Sequence, residues 1–97
     1  FEVARTIPYG KVTTYGHIAK AISTPKASRM VGWAMNKAHS YNDVPAHRVV
    51  NRIGMLTGKF HFDTPDTMEN MLKLEGVDVQ NDQVQDFNNK LWVPPIL

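Results

Sequence analysis

The chain contains no cysteine among its 97 residues. Within these residues that excludes disulfides, thiolate metal sites and a cysteine nucleophile. The four histidines, His17, His39, His47 and His61, have no tight ligand spacing, so no metal is expected, nor any other cofactor. Long apolar runs are also missing. None approaches the ~20 residues a membrane helix needs, and no membrane partner is expected. No signal peptide is visible, and a chain that begins at Phe1 rather than Met is expected to start at a trimmed or processed end. No repeat, low-complexity tract or boundary divides it, so residues 1–97 are expected to form one domain with one modest core.

Acidic residues are scarce in the first part of the chain. Residues 1–59 hold nine Lys/Arg against Glu2 and Asp43, a balance of +7, whereas residues 60–97 hold two Lys against seven acids, a balance of −5. A basic front half points to a surface for a polyanion such as nucleic acid; the plainer alternative is charge spread over a solvated face.

Helix spacing dominates what is there. Phe1, Val3, Ala4 and Ile7 read as the end of a helix broken by Pro8-Tyr9-Gly10. Lys11–Thr14 reads as extended, and Thr13 or Thr14 is a cap for a helix with Ile18, Ala21 and Ile22 on one face. Ser23-Thr24-Pro25 is a turn with Pro25 at a first helical position. Ala27, Met30, Val31, Ala34, Met35 and Ala38 then follow a strong amphipathic pattern. Val49-Val50 and Met55-Leu56, flanking Asn51–Gly54, predict a two-stranded wing. Thr64 caps a helix with Pro65 at its start, Met68, Met71, Leu72 and Glu75 at helical spacing, and Gly76 at its end. Val77–Val79 is a strand candidate, Gln80–Gln83 a turn, Val84–Leu91 ambiguous, and Trp92 a core plug. The predicted fold is mostly α with a small β wing, a winged helix-turn-helix domain.

The second helix of the hairpin shows Ser28, Arg29, Gly32 and Asn36 on its polar face. Gly32 costs about 1 kcal/mol relative to Ala in a helix; it serves either close approach of another backbone or packing within the fold. Arg29, one turn in, suits a phosphate, a guanine edge or a gap in the base stack. Tyr15 either presses on the nucleic acid or anchors the hairpin. Long readers of base edges are few, which favours binding by shape and groove with weak sequence preference.

Val44-Pro45-Ala46-His47-Arg48-Val49-Val50 brings a histidine and an arginine next to a buried strand, and both residues are costly to place there. Two readings stand: His47 caps a turn and Arg48 pairs a carboxylate, or the pair belongs to a site.

Together these stretches resemble the O6-alkylguanine-DNA alkyltransferases. Pro45-Ala46-His47-Arg48-Val49 is similar to their Pro-Cys-His-Arg-Val signature, with Ala46 in place of the alkyl-accepting cysteine. Tyr9–Ala19 resembles the opening of their helix-turn-helix, Ser28–Met35 (with Trp33) their recognition helix, and Leu74-Glu75-Gly76 their later acidic position. The resemblance implies minor-groove binding through Tyr15, Ser28, Arg29, Gly32, Trp33 and Asn36. It further implies flipping of a damaged guanine into a pocket at Tyr15, Pro45, Ala46, His47, Arg48 and Lys59. Arg29 matches the arginine that fills the vacated stack, Tyr15 the tyrosine that rotates the phosphate, and His47 with Glu75 the relay that activates the cysteine through water.

Departures from the family pattern narrow the function. Ala46 has no nucleophile, so alkyl transfer to it is impossible and the expected protein is not an enzyme. Ala38 stands where an asparagine usually hinges helix to pocket, residues 51–62 differ from the enzyme's binding loop, and the length leaves no room for the enzyme's N-terminal domain. The pattern resembles the alkyltransferase-like proteins, which bind alkylated guanine and mark it for nucleotide excision repair. The resemblance thus implies double-stranded DNA containing alkylated guanine and excision-repair proteins as partners, a monomer, and a cytoplasmic, nucleoid-associated location in a bacterium or a nuclear one otherwise. The alternatives are a true methyltransferase domain inactivated by a Cys-to-Ala change, and a winged-helix regulator without lesion specificity.

Overall fold

Two adjacent threonines and two adjacent valines, far apart in sequence, meet at the centre of the fold. The computed structural model describes residues 2–22 and 44–95. In chain order the elements are α1 (Glu2–Arg5), β1 (Thr13–Thr14), α2 (Tyr15–Ala21), a 3-10 turn at Ala46–Arg48, β2 (Val49–Val50), a second 3-10 turn at Lys59–His61, α3 (Thr67–Leu74), β3 (Val79–Gln80), β4 (Gln83–Val84) and α4 (Phe87–Lys90). β1 pairs in parallel with β2, Thr13 opposite Val49 and Thr14 opposite Val50. Parallel neighbours need a long crossover, and α2 opens the one between them.

Successive strand residues face opposite sides, and β2 uses this to separate two cores. Val49 joins Val3, Ala4, Ile7, Ile18, Ala19, Ala21 and Val44. Val50 joins Val12, Leu56, Met68, Leu72, Val77, Val79 and Val84. Among the described residues the buried side chains thus fall into two clusters, one on each side of β2.

The capping signals are borne out at α2. Thr14 is extended at φ −113, ψ 159, and its Oγ1 accepts from His17 N–H at 3.0 Å. Ile18 and Ala21 are buried as the spacing predicts, but Ile22, at the C-cap, has left the helix and is 42% exposed.

α3 departs at its start and conforms at its end. Thr64 does not cap it: the Thr64 hydroxyl accepts from Asp66 N–H at 3.3 Å in a preceding turn, and the helix begins at Thr67. Met68 and Leu72 are fully buried, whereas Met71 lies at the flank of that face and is exposed. The helix closes with Gly76 at φ +84; Gly76 N–H donates to Lys73 O at 3.0 Å and Val77 N–H to Leu72 O at 3.0 Å. These are both bonds of the Schellman closure, and Val77 and Leu72 share a core cluster, the apolar contact that often accompanies that motif.

The wing differs from the one the spacing predicts. Val49-Val50 pairs with β1 and not with Met55-Leu56, whose backbone N–H groups donate instead to Asn51 Oδ1 at 2.8 Å and to Asp82 O at 2.8 Å. Met55 instead bridges Gln83, and the antiparallel ribbon is β3 with β4. Its turn places Asn81 and Asp82 at φ 54 and φ 61, the left-handed region that Asn and Asp tolerate best after glycine. Val77 lies outside the strand, the ambiguous stretch carries α4, and Trp92 is a half-buried side chain packed on the first core. The amphipathic stretch 26–38 and the Ser23–Pro25 turn lie outside the described residues.

Candidate nucleic-acid lesion site

Pro45, at φ −79 and ψ 68, turns the chain into the Ala46–Arg48 3-10 turn, where Arg48 N–H donates to Pro45 O at 3.0 Å. That turn runs straight into β2, so the buried strand fixes its height. It packs against α3. The Schellman closure holds Glu75 at the C-cap of α3, facing the turn.

Glu75 gathers five donor contacts on two oxygens. Oε1 accepts from Gly10 N–H at 2.9 Å and from Arg48 Nε at 2.9 Å; Oε2 accepts from Arg48 Nη2 at 2.8 Å and Nε at 3.1 Å, and lies 2.6 Å from His47 Nε2. Arg48 Nη1 also donates to Ile7 O at 2.9 Å, and its guanidinium lies 5.6 Å from the Tyr9 ring centroid. Tyr9 completes the frame by donating its hydroxyl to Leu74 O at 3.0 Å.

The side chains of His47 and Glu75 are only 8% and 7% exposed. Burial pushes the Glu75 pKa up, but the hydrogen bonds from Arg48, Gly10 and His47 outweigh it and hold the carboxyl at about 2. Burial lowers the His47 pKa, against the opposing pull of Glu75. An ionised carboxylate only accepts, so the imidazole proton sits on Nε2 and a neutral His47 keeps Nδ1 as its lone-pair nitrogen.

Tyr15 opens α2 half-buried, packed on the same core cluster as Ala46. Burial raises its pKa, and a hydrogen bond with the Thr57 side chain opposes that rise. Lys59 is anchored: its Nζ lies 2.6 Å from Asp82 Oδ2 and 5.1 Å from the Phe60 ring centroid. Among the described residues no three His, Asp or Glu side chains are grouped to hold a metal ion.

The structure thus brings His47, Arg48 and Glu75 into one network, with Pro45 and Ala46 beside it. Arg48 does pair a carboxylate, as the plainer reading of the motif had it; its guanidinium is directed at Glu75 and Ile7. Ser28, Arg29, Gly32, Trp33 and Asn36 lie outside the described residues. Sequence reasoning missed Gly10, Tyr9, Thr57 and Asp82. Gly10 had a signal in its Pro-Tyr-Gly turn, and its φ of +81 is one only glycine adopts freely. Nothing local marks its partner, 65 residues away.

Residues 1–77 match the model of the 6-O-methylguanine DNA methyltransferase DNA-binding domain, and the chain belongs to that family, as an alkyltransferase-like member with alanine at the acceptor position. It is similar to alkyltransferase-like protein 1 of Schizosaccharomyces pombe, 33% identical over 97% of this chain and 91% of that one. It is also similar to a methylated-DNA–protein-cysteine methyltransferase of Methanosarcina acetivorans, 50% identical over 78% of this chain; the chain spans about half (47%) of that relative. The fold matches the crystal structure of S. pombe Atl1 in complex with damaged DNA containing O6-carboxymethylguanine, with a TM-score of 0.82 and 33% identity over 96% of this chain and 90% of that one.

Proposed function

We propose that the chain reads O6-alkylated guanine in double-stranded DNA without repairing it. The observation that carries this reading is Ala46. The side chain on the turn between Pro45 and the His47–Glu75 pair is a methyl group, which has no lone pair to attack an alkyl carbon. The retained network has a second use that explains its presence without chemistry: it ties the Ala46–Arg48 turn to α3 and to Gly10. The likeness to an S. pombe protein held on O6-carboxymethylguanine DNA supports the choice of ligand.

In this reading one winged helix-turn-helix domain binds as a monomer in the minor groove, with Tyr15, Ser28, Arg29, Gly32, Trp33 and Asn36 on the DNA. The damaged guanine is flipped toward Tyr15, Pro45, Ala46, His47 and Lys59, with Arg48 bracing the turn from behind. Flipping costs a few kcal/mol of unstacking and unpairing, less for a base that pairs badly, and Arg29 fills the gap. The complex marks the lesion for excision repair, at the nucleoid of a bacterium or in a nucleus. The test is incubation with duplex carrying tritium-labelled O6-methylguanine. The expected result is retention of the duplex with no covalent label on protein; label on protein overturns the reading.

A further inference from the structure

Gly58 poses a question the backbone does not answer. It sits at φ −88, ψ 4, a conformation open to any residue, so its backbone does not require glycine. What a side chain there would meet is Tyr15: a Cβ built on Gly58 lies 3.1 Å from the Tyr15 hydroxyl oxygen. That is tight enough to force either the ring or the loop to move. The side chain of the neighbouring residue, Thr57, acts on the same hydroxyl, lowering its pKa against the rise from burial. Two consecutive residues therefore bear on one phenol oxygen, one through its side chain and one by leaving room for it.

The loop that carries them is itself held from behind. Leu56 N–H donates to Asp82 O at 2.8 Å, and Lys59 Nζ pairs with Asp82 Oδ2 at 2.6 Å. Asp82, at the tip of the β3–β4 ribbon, thus grips the chain on either side of Thr57-Gly58. Leu56 is buried in the second core, whereas Tyr15 packs on the first. The Thr57-Gly58 contact spans the two.

We propose that Thr57 and Gly58 form a seat that fixes the ring and hydroxyl of Tyr15, and so act as positioning residues for discrimination between damaged and undamaged guanine. The inference rests on the lesion-reading function above and names a determinant of it that lies in the loop rather than on the DNA-reading helix. A hydroxyl engaged from one side by Thr57 presents its remaining hydrogen-bonding capacity in one direction, and the space that Gly58 leaves free lets the ring keep the plane that this engagement sets.

The test combines a spectroscopic readout on the free protein with a double-mutant cycle. With tyrosine labelled at 13Cζ and the Tyr15 signal assigned by its loss in Tyr15→Phe, Thr57→Val shifts that signal at neutral pH and Thr57→Ser leaves it near its native place. In duplex titrations, Thr57→Val and Gly58→Ala each lower the ratio of affinities for O6-methylguanine over guanine duplex by about five-fold, the scale of one net hydrogen bond. In the Tyr15→Phe background neither adds a further loss, since the oxygen both act on is gone. An unmoved 13Cζ signal in Thr57→Val overturns the seat. A native chain that discriminates while both loop variants discriminate equally well overturns it too. A native chain that binds both duplexes equally defeats the lesion-reading function instead, and the 13Cζ shift then still decides whether the seat exists.

Discussion

Glu75 Oε2 lies 2.6 Å from His47 Nε2 and accepts from Arg48 Nη2 at 2.8 Å, so a single carboxylate oxygen ties two consecutive residues of the Ala46–Arg48 turn to the end of α3. Removing the carboxylate leaves a partly buried guanidinium and an imidazole N–H without their acceptor. Glu75→Ala is expected to cost about 3 kcal/mol, the cost of breaking a buried ion pair from one side. Urea unfolding checks it. A loss no larger than that of Glu69→Ala, whose i,i+4 partner Lys73 stands in solvent, would contradict it.

The same network predicts an acid-sensitive fold. The Glu75 carboxyl is depressed from 4.5 to about 2, so its contribution is complete above pH 4.5 and is lost as pH falls toward 2. His47 is lowered from 6.5 by burial; the folded state takes up that proton less readily, so its contribution is complete above 6.5 and declines as pH falls below it. Both groups act in one direction. Unfolding midpoints measured from pH 7 to 2 should fall in two stages, the upper removed by His47→Gln and the lower by Glu75→Gln.

Gly76 and Gly10 separate conformational strain from collision. Both have positive φ, but a Cβ on Gly76 meets nothing within 4 Å, whereas one on Gly10 meets Glu75 O at 3.3 Å. Gly76→Ala should cost about 1–2 kcal/mol for the left-handed backbone alone. Gly10→Ala should cost more, since it strains the backbone and crowds Glu75 as well. Equal losses in chemical denaturation would contradict the distinction.

Local signals were legible and long-range pairings were not. The Thr14 cap, the Met68/Leu72 face and the Gly76 stop each depend on residues within one or two turns, and the chain states them directly. Which strand pairs with Val49-Val50 depends on residues 36 positions away, and the hairpin spacing to Met55-Leu56 gave a nearer but wrong partner. At the site, His47 and Arg48 were visible as costly residues beside a buried strand, and Glu75 through the resemblance of Leu74-Glu75-Gly76 to a family position. The Gly10 N–H and the Thr57 hydroxyl were invisible, because a backbone donor and an exposed threonine carry no signature until the fold sets their neighbours.

Ala46→Cys is expected to acquire little or no methyl group from O6-methylguanine duplex. A thiol at 46 would stand beside the His47–Glu75 pair, but transfer also needs a stabilised thiolate and an oriented alkyl carbon. The loop that would orient it carries Lys59 fixed to Asp82. Mass spectrometry decides, and stoichiometric methylation would contradict this role of the loop.

The central claim is recognition of the lesion itself. Titration of the native chain against two duplexes identical except for a central O6-methylguanine or guanine tests it most directly, repeated across salt concentrations and with Arg29→Ala. Tighter binding to the damaged duplex is expected, with affinities that fall steeply with salt for both. Arg29→Ala is expected to weaken the damaged complex more than the undamaged one. Equal affinity of the native chain for the two duplexes would contradict lesion recognition.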